Sequence, residues 1–178
     1  MSIDFQSTIS YTQLLTAYRI TFFAAWGIGV DFPRLLARYA RSYPMVLNIH
    51  SISMMIIGLI TLLYVIAITI TFYTQNYVLG ERMEGIVLAE FILAWALCAC
   101  ILVQFGLGFK VRYEIVTDKL SSNVFSLKKV HRYLGTFMSI LGKVIVALQL
   151  QPITFNEGIL FKSWLFILGT LLLVSIVL

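Results

Sequence analysis

Four stretches of this chain, at 46–72, 86–109, 130–150 and 159–178, are apolar almost without a break. A helix needs about 20 mostly apolar residues to cross a hydrocarbon core about 30 Å thick, because each residue rises about 1.5 Å. All four stretches are long enough, so the chain is expected to thread through a bilayer. A fifth stretch, 14–30, is interrupted by Arg19, which sits near one end. There its stem can carry the guanidinium to the headgroups. Five spans are therefore expected, with four spans and an interfacial first helix as the fallback. The composition agrees: 60% of residues are apolar, 12% are charged and the mean hydropathy is +0.94. Soluble domains have about 45–50% apolar and about 25% charged residues. Too little polar material remains to coat a water-facing surface, which excludes a soluble enzyme, a disordered chain and a free nucleic-acid binder. The expected fold is an all-α membrane protein, a single domain over 1–178, built as a bundle of about five transmembrane helices. The loops read as short, no repeat is visible, and 1–13 lacks the features of a removable signal peptide.

Charge sets the expected orientation. With five alternating spans, 31–45 and 108–132 face the same side as loops. They carry Arg34, Arg38, Arg41, Lys110, Arg112, Lys119, Lys128, Lys129 and Arg132, most of the chain's basic residues. Basic loops stay on the side of synthesis, so this face is expected toward cytoplasm or mitochondrial matrix. Such cations more often bind lipid headgroups than a substrate, and cardiolipin is the expected lipid in a mitochondrial membrane.

The chain has two histidines, His50 and His131. Each falls in the first turns of a long apolar segment, the second and the fourth, which run in the same direction. Both imidazoles therefore sit at similar depth, near the basic face. An ionisable residue inside a membrane is a functional hypothesis by default. Imidazole suits iron, copper and zinc, and a zinc site usually needs four ligands. Two axial ligands suffice for a haem, since the porphyrin fills the other four positions. Steps of three and four residues place Met54, Ile57, Gly58 and Thr61 on the His50 face. The same steps from His131 reach Gly135, Met138 and Gly142. Glycine leaves room for a flat macrocycle, methionine and isoleucine supply an apolar wall, and Thr61 can bond back to its own helix. Arg132, Lys128, Lys129 and the group Arg34, Arg38 and Arg41 lie on the side where propionates need cations. Each histidine alone also reads as an interhelical hydrogen-bonding residue, and glycine and methionine are ordinary in membrane helices.

Around the first histidine the chain reads Leu47-Asn48-Ile49-His50-Ser51, then Met54, Met55 and Gly58. Around the second it reads His131-Arg132-Tyr133-Leu134-Gly135, with Gln149 late in the same segment. These patterns resemble the cytochrome b561 superfamily over roughly 46 to the end of the chain. The resemblance implies a b561-like helical bundle in which His50 and His131 are the axial ligands of one haem b. Ser51 stands where the family has proline. The family's second haem takes histidines from its third and fifth helices, and Gly85 and Ala89 stand where the third would carry them. One haem is expected, not two.

A single haem near one face leaves most of the membrane uncrossed, so transmembrane ascorbate-dependent reduction is not carried over. The expectation is a membrane subunit with one bis-histidine haem b, relaying electrons near a quinone within a respiratory complex of the mitochondrial inner membrane. It is not expected to act as an autonomous enzyme. Its expected partners are other membrane subunits, lipid and quinone, with no nucleic acid. The alternative is a scaffold or anchor subunit whose haem is structural or absent. Glu90 and Lys143 are the charges most clearly inside spans. They can pair where the second haem is missing; the structural reading is such a salt bridge or simple snorkelling of the lysine, and the functional reading is a proton or quinone site. Cys98 and Cys100 fall on different faces of one helix and read as small apolar residues.

Overall fold

The computed structural model describes residues 11–40, 43–74, 85–117, 122–154 and 169, and every regular element among them is helical. α1 (Tyr11–Phe22) passes through a π-helical turn (Phe23–Gly29) into α2 (Asp31–Tyr39). α3 is Pro44–Thr74, α4 is Gly85–Val116 and α5 is Ser122–Thr154. Among the described residues, three stretches are long and apolar enough to cross a membrane: Thr16–Tyr39, Met45–Thr71 and Leu88–Glu114. The expected fourth span, 130–150, is helical throughout as part of α5. The expected fifth, 159–178, lies outside the described residues except Gly169, which is helical.

Two expected loops are helix instead. Residues 31–39 form α2, so Arg34 and Arg38 ride on a continuation of the first helix. The 110–129 segment is helical up to Val116 and again from Ser122. The reason is length. α4 has 32 residues and so extends about 48 Å, well beyond a hydrocarbon core of about 30 Å. The bilayer limits the apolar stretch, not the helix, and charged turns project into the headgroup region.

The π turn makes the first helix unusual. Val30 donates its N–H to the Ala25 carbonyl five residues back, at 2.8 Å. A Cβ at Gly29 would come within 2.8 Å of the Ala24 carbonyl oxygen, so the widened turn needs glycine there. Pro33 has no N–H to give the Gly29 carbonyl, so a regular α-ladder cannot run through this segment. The buried residues Tyr18, Phe22, Trp26, Val30 and Pro33 recur at intervals of four and three. In an α-helix, steps of four drift around the axis. The wider turn offsets that drift and keeps the whole series facing inward.

The connection between α2 and α3 is tight, with Tyr43 donating to Ala40 and Val46 to Tyr43. Pro44 opens α3, where a missing N–H costs nothing. The α4–α5 connection is also short and lies at the same end. The ends carrying Arg34, Arg38, Arg112, Lys128 and Arg132 are thereby gathered on one rim. Beneath it, Leu97, Ile101, Ile145 and Val146 are buried at the centre of the bundle. The outer ridge of α3 is the reverse: Ile52, Ile56, Leu59, Leu63, Ile66 and Ile70 are all exposed. A contiguous apolar ridge of this kind is unsuited to water and suited to lipid. The chain is an integral membrane protein.

Candidate functional site

A cavity of about 850 Å³ opens at the basic end between α2, α3, α4 and α5. Both histidines line it. Met54 and Gly58 of α3 share the wall, as do Arg132, Gly135 and Met138 of α5. The remaining apolar lining includes Leu47, Ile52, Met55, Phe105 and Phe109, and the cations are Arg34, Arg38, Arg112, Lys128 and Arg132.

His50 is fixed from the first helix. Its Nδ1 lies 2.9 Å from the Pro33 carbonyl oxygen. A carbonyl only accepts, so Nδ1 carries the proton and Nε2 keeps its lone pair. A backbone carbonyl on the far nitrogen is the usual way a metal-binding imidazole is oriented. This contact depends on α2 being helical, since it brings Pro33 opposite a residue 17 positions later.

His131 rests against α4. A Cβ at Gly108 would lie 3.4 Å from its Cε1, an ordinary van der Waals contact, so the ring packs closely on the α4 backbone there. Gln104, one turn earlier, donates through Nε2 to the His131 carbonyl at 3.0 Å. The same amide nitrogen stands 3.4 Å from the imidazole Nε2, too long for a strong hydrogen bond. The imidazole Nδ1 is buried and has no partner. A buried ring nitrogen left unpaired costs about 1–3 kcal/mol, so His131 keeps coordinating capacity that the protein does not use.

These features fit a haem held by two imidazoles: one ring oriented from behind, one with an orphaned nitrogen, an apolar volume between helices and cations around its mouth. Among the described residues no group of three or more His, Cys, Asp and Glu converges, so a bare ion would find two imidazoles and little else.

Three expected wall residues sit elsewhere. Ile57 is off the cavity lining and points its Cδ1 toward the first helix, 3.8 Å from where a Cβ on Gly29 would be. Gly142 does not line the cavity. Trp26 packs on it so closely that any Cβ would overlap the indole. Thr61 is also off the wall. It accepts the Trp26 Nε1–H at 2.8 Å and donates to the Ile57 carbonyl at 2.8 Å, the expected bond to its own helix. The space over Gly58 is filled by Phe105, whose ring lies 2.5 Å from where a Cβ would be. Gly58 thus makes room for a cavity-lining side chain.

The expected Glu90–Lys143 bridge is replaced by another. Lys143, fully buried, donates to Asp31 Oδ1 at 2.8 Å and to Ser139 Oγ at 2.9 Å. Glu90 is buried near Arg19 with Oε1 unpartnered. The physical reason is the first helix, which carries Asp31 inward beside α5 instead of leaving it in a loop. Glu90 and Lys143 are correspondingly at different depths.

Sequence reasoning misses Asp31, Pro33, Gln104 and Gly108 as parts of this site. Gln104 has a readable signal, as a lone amide in an apolar run. The others become visible only once the first helix is known to continue. A scan against protein-family models, a search of the curated proteins and a search of the solved structures each find no match to this chain.

Proposed function

We propose that this membrane protein binds one haem b between His50 and His131 and serves as an electron-transfer subunit of a larger membrane complex. The observation that carries the reading is the pair of histidines on one cavity, with His50 Nδ1 held by the Pro33 carbonyl. The likeness to the cytochrome b561 superfamily around both histidines points the same way. When bound, a bis-imidazole haem supplies a one-electron couple with no open iron position, which favours electron relay over oxygen chemistry.

The chain's own residues have separable roles. Pro33 fixes the His50 tautomer, and the α4 backbone at Gly108 backs the His131 ring. Met54, Met55, Phe105, Phe109 and Met138 exclude water from the cavity walls. A drier wall strengthens every electrostatic interaction inside it. The proposed arrangement has α5 and the 159–178 stretch as the fourth and fifth spans, with the basic rim on the matrix side of a mitochondrial inner membrane. Anionic lipid such as cardiolipin is the proposed companion of that rim.

The test is the reduced-minus-oxidised absorption spectrum of the purified chain. The expected result is a low-spin b-type signal, lost in both His50→Ala and His131→Ala. Retention of the signal in both variants would refute the ligand assignment. A chain with no haem at all leaves the scaffold reading.

A further inference from the structure

The basic lining of the cavity is not uniform. Arg38, Arg112, Lys128 and Arg132 are exposed at the rim. Arg34 differs: its side chain is 20% exposed and committed on two sides. Nη1 lies 3.4 Å from Asp31 Oδ1, and Nη2 donates to Thr136 Oγ1 at 3.3 Å. Asp31 is itself held by Lys143 at 2.8 Å and by Ser139 at 3.4 Å.

This buried cluster joins two cations, Arg34 and Lys143, to one carboxylate, Asp31. It therefore keeps a surplus positive charge where water is scarce, and a buried charge is costly unless an anion meets it. Lys143 is sealed in, whereas Arg34 and Asp31 reach the cavity wall. Among the described residues, the surplus charge is open to the cavity alone, through Arg34. A guanidinium has five N–H donors in a planar fork matched to carboxylate, and two of them already point at protein oxygens. These long contacts guide the guanidinium without saturating it, so its donors stay free for an anion.

We propose that Arg34, placed between Asp31 and Thr136 and backed by Lys143, anchors the carboxylate edge of the cavity's ligand. The assignment rests on the haem reading and deepens it. It separates one built anion site from four exposed rim cations, and it sets which edge of the porphyrin faces α2 and α5. Arg34 is a positioning residue and does not touch the iron.

The test compares haem b with its dimethyl ester, which keeps the iron and macrocycle but has no carboxylate. Each is titrated into the wild-type chain, Arg34→Met and Lys110→Met, all checked for unchanged helicity; Lys110 is an exposed cation off the cavity lining. In the wild type the ester should bind about tenfold or more weakly, the range of a charge-assisted hydrogen bond. In Arg34→Met the natural haem should fall to the level of the ester, and the ester should bind as it does to wild type. Lys110→Met should behave as wild type, and Arg34→Lys should recover part of the difference. A second readout is the midpoint potential, which should fall in Arg34→Met because a nearby cation favours the ferrous state. Equal wild-type affinity for both haems overturns the proposal. So does a loss in Arg34→Met that is the same for both. Either result with the bis-histidine spectrum intact leaves the haem site standing, whereas failure of the wild type to bind any haem removes the proposed function and this anchor together.

Discussion

At the residue scale, the histidines are legible in the sequence because ionisable groups are rare in apolar runs. Their surroundings are less so. Gly142 reads as clearance for a macrocycle, yet its clearance is taken by Trp26. Helical periodicity gives the face of a helix but not which neighbour fills it. The sharpest residue-level consequence lies in that contact. Gly142→Ala should destabilise the protein by about 1–3 kcal/mol, the usual range for overpacking a core. Trp26→Phe removes the indole N–H from Thr61 and should cost about 0.5–1.5 kcal/mol before any packing loss. Thermal unfolding in detergent measures both. A neutral Gly142→Ala would mean the indole does not pack there.

At the scale of elements, the long helices are readable in outline and misleading at their ends. The apolar run ends at Val30, and hydropathy alone makes a loop of residues 31–45. A helix needs only paired backbone groups, not apolar residues, so it continues to Tyr39. The π turn leaves no such trace, because its cause is a conjunction of Gly29, Pro33 and packing. Its role is testable by inserting one alanine after Ile28, which is exposed. The turn already absorbs one extra residue, so a second should rotate everything after it by about 100°, whereas deleting Ile28 should restore α-helix and keep the register. With the insertion, Pro33 and Asp31 would leave His50 and Lys143. Haem retention should fall sharply while α3 to α5 stay folded, as read by titration and circular dichroism. The Asp31–Lys143 pair joins this element to α5. Lys143→Met alone leaves Asp31 with only the longer contacts to Arg34 and Ser139 and should cost about 1–3 kcal/mol. The double variant Asp31→Asn with Lys143→Met should lose clearly less, and equal losses would show that the pair is not coupled.

At the scale of the whole molecule, membrane character and the gathering of cations at one end come from hydropathy and charge alone. Both hold because they depend on bulk transfer free energies and on hairpin connectivity, not on packing detail. The end carrying Lys128 is opposite the end of α3 carrying Tyr73, given the short connections at the basic rim. Cysteines placed at these two positions, in a background with Cys98 and Cys100 replaced, should therefore react with an impermeant thiol reagent from opposite sides of a sealed vesicle. Labelling of both from one side would contradict the threading.

The proposed function turns on two imidazoles meeting one porphyrin in the cavity beneath the basic rim. Low-temperature electron paramagnetic resonance of the oxidised, haem-loaded protein reads the axial ligands directly. Two histidines predict a purely low-spin ferric signal at one haem per chain, converted to high spin or lost when either His50 or His131 becomes alanine. A high-spin signal in the wild-type protein, indifferent to both substitutions, would contradict it.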